Sequence, residues 1–243
     1  MGEHYSVFVN AGAVILMPRD MLEQERLDVL NSVLFAQLVA DKRNPNFSQM
    51  QAWYETYREV LSSAWLQREV AWKSLAVGDA STFKLTDWVG APLAGHLDSA
   101  TRDDVCRVLN RVAQLPVTSP AIDVLREHVR KFKDGPSSGA AVEAACKVSL
   151  QVILAQHGPV LNSFYVEFNT TEQVVSNPLG QSFATDNILG NIQLKYFQVN
   201  LSDALYGPLR EAIIKKLGDK TVKNIFDVSD ANQHELAGKK LYE

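Results

Sequence analysis

The chain has 243 residues, of which 46% are hydrophobic, enough to bury one substantial core or two small ones without help from disulfides or a metal. Its 24 basic and 28 acidic residues leave a net charge of only -4, and the basic residues stand singly or in pairs rather than in a stripe. That distribution argues against a nucleic-acid partner, because phosphate binding needs clustered Lys and Arg.

Residues Val7 to Met17 form an apolar run, too short to span a bilayer and preceded by no Lys or Arg, so they are read as a buried strand or a pair of short strands. Gly2 and Ser6 match the letters of a myristoylation pattern, but Glu3 and the lack of basic neighbours argue against a stable anchor. Asp20 and Glu23 then have the spacing of a helix start, and Leu27, Leu30, Leu34 and Leu38 lay one apolar stripe over about 20–42. Asn44-Pro45-Asn46 ends that helix. Ser48 and Gln51 begin a second one, antiparallel to the first, with Met50, Trp53, Tyr57, Val60, Leu61 and Ala64 on its apolar face.

After Ala64 the period shortens. Leu66, Val70 and Trp72 fall on one side of an alternation, Gly78-Asp79 supplies a turn, and Thr82 to Leu85 reads as a returning strand, so a hairpin is expected at 65–85. A helix continuing through Trp72 is the alternative. Helical signals return with Ser99 ahead of Val105, Val108, Leu109 and Val112, and again at Ser119-Pro120, where a cap precedes a proline in the first turn. Asp103 and Asp104 are read as charges favouring a helix dipole.

Near residue 135 the rhythm changes from helical spacing to alternation. Gly135-Pro136-Ser137-Ser138-Gly139 marks the boundary as a cluster of turn formers. It also fits the letters of a nucleophile elbow, with Asp186 and His234 in suitable order, but the charged residues before it do not form the buried strand that such a site needs. Residues 142–154 alternate as a strand, although their alanines suit a helix as well. His157-Gly158-Pro159 turns the chain into a strand over Leu161 to Asn169, and Thr170 to Asn187 reads as a long surface loop. Gly190 to Leu201 is the strongest strand, with a bulge expected at Tyr196-Phe197 and an edge open to strand addition. A last helix is predicted from Asp203 to Leu217, stopped by Gly218 and followed from Ser229 by a polar tail.

The predicted fold is α+β: a helical N-terminal half with a small hairpin, packed on a mostly antiparallel C-terminal sheet or sandwich closed by one helix. Three regions are expected, 1–134, 140–228 and 229–243, the first two able to form one integrated domain. Cys106 and Cys146 lie in apolar patterns without metal or redox spacing, and modification of Cys146 is the alternative to an inert core thiol. The histidines His4, His96, His128, His157 and His234 show no metal-ligand spacing, so neither a metal nor a cofactor is predicted.

The aromatic residues Trp53, Tyr54, Tyr57, Trp65 and Trp72, with Tyr196 and Phe197, are the candidate ligand- or partner-binding set. Tyr54 falls off the apolar stripe, which suggests partial exposure. No catalytic constellation survives a check of its context. The function predicted first is a non-enzymatic soluble binding or self-assembly protein, with a protein partner or a second copy. The second is a toxin-like, membrane-active protein that is soluble until it meets a bilayer surface, and the third is a hydrolase with a dispersed site. The expected location is the cytoplasm, or outside the cell after release without a classical signal peptide.

Overall fold

The computed structural model describes residues 5–46, 49–76, 82–87, 95, 97–132 and 146–229. The Gly135–Gly139 segment with Ser137, the Ser48 cap, the Gly78-Asp79 turn, Gly2, His4, His96, His234 and the tail beyond Ser229 lie outside the described residues.

The apolar N-terminal run forms the antiparallel pair β1 (Tyr5–Asn10) and β2 (Ala13–Pro18), buried nearly throughout. Its turn places Ala11 at φ 50°. Gly12 donates its N–H to Gln37 Oε1 at 2.9 Å, and a Cβ there would stand 3.3 Å from both Gln37 Oε1 and His128 Cβ. A side chain there would push these neighbours back by a few tenths of an ångström, so the close approach favours glycine.

Then come α1 (Glu23–Arg43), α2 (Met50–Ser62), β3 (Trp65–Leu75) and β4 (Thr82–Lys84). They are followed by α3 (Ser99–Ala113), α4 (Pro120–Val129) and β5 (Arg130–Phe132). The C-terminal part holds β6 (Cys146–Gln156), β7 (Val160–Thr170), β8 (Ser182–Ala184), β9 (Ile188–Leu201), α5 (Asp203–Leu217), α6 (Lys220–Asn224) and β10 (Ile225–Asp227).

The main sheet runs β10-β1-β2-β6-β7-β9-β3, with β5 also pairing β6. Among the described residues only β2 and β6 pair in parallel. Strands from both sides of the 134–140 boundary thus share one sheet, and helices cover both of its faces. On one face α3 and α4 pack over Val148, Leu150, Phe164, Val166 and Leu194. On the other α1, α2 and α5 pack over Ile15, Ile153, Tyr165, Phe197 and Val199. The α+β class is as predicted, with helices of the N-terminal half packed on the sheet together with the C-terminal α5.

Other expectations are corrected. Residues 65–75 do form a strand, not a helix, yet β3 pairs along its length with β9, and β4 pairs with β8, so the hairpin at 65–85 does not form. An 11-residue strand finds far more ladder partners on the 14-residue β9 than on the three residues of β4. As a result β9 lies inside the sheet and β3 takes the edge position. Tyr196 and Phe197 sit in regular register opposite Ala71 and Val70, and the irregularities fall instead at Gln67/Glu69 and Glu167/Asn169.

The segment after Thr170 is less exposed than its polarity suggests, because Val174, Leu179 and Phe183 are buried under α3. α1 begins at Glu23 after Leu22, without the side-chain cap expected from Asp20. At α3 the cap is Asp98, whose Oδ1 accepts from Thr101 N at 2.9 Å.

Candidate functional site

The central strands β6, β7 and β9 have two chemically different faces, and both are buried. Because side chains alternate across a strand, register decides which residues meet. Toward α3 and α4, Val148 stands opposite Phe168, Leu150 opposite Val166 and Val152 opposite Phe164. Phe164 and Val166 in turn face Tyr196 and Leu194 on β9. This face is apolar over most of its length, closing at one end with Asn162, whose Oδ1 accepts from Tyr196 Oη and Gln198 Nε2 at 2.9 Å each.

Toward α1 and α2 the same strands present Ser149 opposite Glu167, Gln151 opposite Tyr165, and Tyr165 opposite Lys195. Gln151 Nε2 donates to Ser163 Oγ at 2.7 Å. The Lys195 ammonium lies 3.3 Å from Glu167 Oε2 and donates to Gln51 Oε1 of α2 at 2.9 Å. It also sits over the rings of Tyr54 at 4.5 Å, Trp72 at 5.3 Å and Tyr165 at 5.4 Å. Lys195 and Glu167 are only 4% and 7% exposed. Removal from water lowers the Lys195 pKa, and the Glu167 carboxylate opposes that shift. Burial raises the phenols of Tyr54, Tyr57 and Tyr165.

The candidate aromatics divide between three places. Trp53, Tyr54, Tyr57 and Phe197 line this polar seam, Trp53 stacking on Tyr57 at 5.6 Å and Tyr54 lying 4.7 Å from Tyr165. Trp65 belongs to the same core at the start of β3, whereas Tyr196 is in the opposite core. Trp72 is 62% exposed on the edge strand, with its indole N–H donating to Gln193 Oε1 at 2.9 Å.

Tyr54 is buried, contrary to the exposure its helical position suggested, because α2 turns a second side to the sheet around Lys195 and Tyr165. Sequence reasoning missed Gln51, Gln151, Ser163, Glu167 and Lys195. For the four strand residues the signal was present as polar side chains on one parity of three strong strands, but that pattern alone reads as a solvent-facing surface.

Elsewhere the chemistry is structural. Cys146 is buried, with desolvation pushing its thiol up to about 11, and Cys106 is half-buried with its thiol raised by burial and then by Asp103. Asp104 pairs with Arg107 at 2.7 Å. His128 Nδ1 lies 3.6 Å from Asp41 Oδ2 and its Nε2 3.1 Å from Asn224 Oδ1, while exposed His157 lies 3.1 Å from Asp20. Asp186 lies in a short 3-10 turn over Thr185–Asn187. Among the described residues no group of three His, Cys, Asp or Glu side chains is placed to hold a metal ion.

The molecule is thus an α+β protein with a helix-covered, mostly antiparallel sheet. No family model and no curated protein sequence matches the chain. Among solved structures it is similar to the activated Cyt2Ba monomer of Bacillus thuringiensis subsp. israelensis, at 8% identity and a TM-score of 0.44, covering 80% of this chain and 99% of that one. It is similar also to a delta-endotoxin (9% identity, TM-score 0.45, covering 93% of this chain and 89% of that one). A third likeness is to the Evf virulence factor (9% identity, TM-score 0.34, covering 93% and 84%).

Proposed function

We propose that the protein is membrane-active: soluble with its sheet covered, and able to place strands β6, β7 and β9 in a bilayer once the helices move aside. The observation that carries this reading is the two-faced character of those strands. They are 11, 11 and 14 residues long, and a tilted strand needs about 9–11 residues to cross the hydrocarbon core. Membrane barrels alternate lipid-facing apolar residues with lumen-facing polar ones, the pattern that Val148, Leu150, Val166 and Leu194 make against Ser149, Gln151, Glu167 and Lys195.

Two gains offset part of the cost of uncovering Ile153, Phe197 and Val199. Lipid chains can replace α3 and α4 over the apolar face at little cost, and water replacing α1 and α2 rehydrates Lys195 and Glu167. Among the described residues no helix is long and apolar enough to cross a membrane, so crossing in this scheme uses strands. A sheet edge in lipid must be paired, so several copies have to join, and β3 offers the open edge. Self-association and the membrane surface then belong to one activity.

The test uses dye-loaded vesicles and single cysteines placed at each position from Asn162 to Phe168, after Cys106 and Cys146 are changed to Ala, each carrying a polarity-sensitive fluorophore. Vesicles should leak, and labels at Phe164, Val166 and Phe168 should report lipid while those at Ser163, Tyr165 and Glu167 report water. Intact vesicles, or labels without a period of two, would refute strand insertion.

A further inference from the structure

A second surface, away from the sheet, has the chemistry of a lipid-docking site. Between α1 and α5 runs a groove of about 520 Å³ with an apolar floor of Phe35, Leu38, Val39 and Leu217. Its rim carries Lys42, Arg43, Lys216 and Lys220. The groove meets a smaller cavity of about 140 Å³ beside Trp65, Phe35 and Lys216 lining both. In a chain of net charge -4, four cations around one apolar trough form a local excess of opposite sign. Arg43 shares its charge with exposed Glu59 at 3.7 Å. Among the described residues, Lys42, Lys216 and Lys220 form no ion pair.

The apolar surface continues past the groove. On α5 the sequence stripe Leu205, Leu209, Ile213, Leu217 is only half used: Ile213 and Leu217 are buried, whereas Leu205 and Leu209 are 43% and 39% exposed. A helix face with two exposed leucines next to Lys216 suits the boundary between headgroups and acyl chains, where apolar residues enter and lysines meet phosphates.

We infer that the α1–α5 groove is a docking site for anionic glycerophospholipid at a bilayer surface, with phosphate on the Lys42, Arg43, Lys216 and Lys220 rim and acyl chain on the Phe35, Leu38 and Val39 floor. The site stands independently of strand insertion. It supplies recognition, and insertion supplies permeabilisation.

The test is co-sedimentation of the full chain with phosphatidylcholine vesicles, with and without phosphatidylglycerol, alongside dye release from the same vesicles. Binding should require phosphatidylglycerol. Each surface lysine contributes about fivefold at an anionic membrane, so the double variant Lys42→Gln/Lys220→Gln should bind about thirtyfold more weakly, and Lys84→Gln, outside the groove, should bind normally. Leu205→Asp should also weaken binding, whereas millimolar inorganic phosphate should not abolish it.

Equal binding to neutral vesicles, or full binding by the double variant, overturns the proposal. So does a site saturated by free phosphate and indifferent to Leu205→Asp, which would be an anion site alone. Binding through the groove without dye release supports the docking site and removes strand insertion. Dye release from neutral vesicles by the double variant does the reverse.

Discussion

Lys195 is almost wholly buried, and its charge is matched by Glu167, Gln51 and aromatic faces rather than by water. Lys195→Met would leave Glu167 as a lone buried carboxylate, so chemical denaturation should show a loss of about 3–5 kcal/mol. Lys195→Met/Glu167→Leu removes both charges and should recover most of that loss. A single variant within about 1 kcal/mol of the parent would mean that the pair is already hydrated.

The tyrosines set the alkaline limit. Tyr54, Tyr57 and Tyr165 have phenols raised above the ordinary 10.0, so their stability contribution is full below about pH 10 and is lost as pH climbs toward their folded values. Lys195 works the other way: its folded value lies below 10.5, so its contribution improves as pH rises toward 10.5. Three phenols outweigh one ammonium. The denaturation midpoint should therefore fall above about pH 10, with the phenolate absorbance of these residues appearing only as the chain unfolds. Their ionisation near pH 10 in a still-folded protein would contradict the packing of the seam.

At the scale of elements, β9 organises the molecule by pairing with β7 on one side and β3 on the other. Val199 lies opposite Leu161 and Gln67 and is 1% exposed. A proline there removes a backbone donor and wedges its ring into a central strand, so Val199→Pro should abolish the cooperative unfolding transition rather than merely change association. A folded variant with unchanged sedimentation would show that β9 is not held from both sides. The edge role passes to β3, where Leu66, Val70 and Trp72 are exposed, and copies of the chain would meet there in the proposed assembly.

For the whole molecule, the helical layers and the sheet are expected to part at a membrane. Hydrogen exchange with and without phosphatidylglycerol vesicles should show α1 and α2 losing protection on binding while β6, β7 and β9 keep theirs. Loss from the strands with retention in the helices would mean that the helices are the inserting part. The buried polar row on the sheet gives the motion a reason: Ser149, Gln151, Glu167 and Lys195 gain water when α2 leaves, whereas the opposite face, outside the Asn162 end, has mostly apolar groups to hand to lipid.

Much of the local structure was legible in the letters. The alternation in Phe164-Tyr165-Val166-Glu167-Phe168, the helix start at Ser119-Pro120 and the stop at Gly218 depend on neighbouring residues, and each element formed close to its predicted place, although the Ser119 side chain makes no capping bond. Pairing did not follow from the same information. That β3 would leave β4 for β9, and that β2 would lie parallel to β6, depends on contacts between residues distant in sequence, and alternation does not name its partner.

The site was hidden for a related reason. A lysine, a glutamate and two serines on one side of strong strands look like a wetted face, and only the position of α2 over Lys195 turns them into a buried polar seam. The groove likewise joins residues of α1 with residues of α5 and Lys220 of α6, so its charge cluster exists only after these helices pack. Sequence by itself determined which stretches bend into helices and which alternate as strands, because those preferences act over a few residues; tertiary structure decided which faces are covered, because burial is a property of what lands on top.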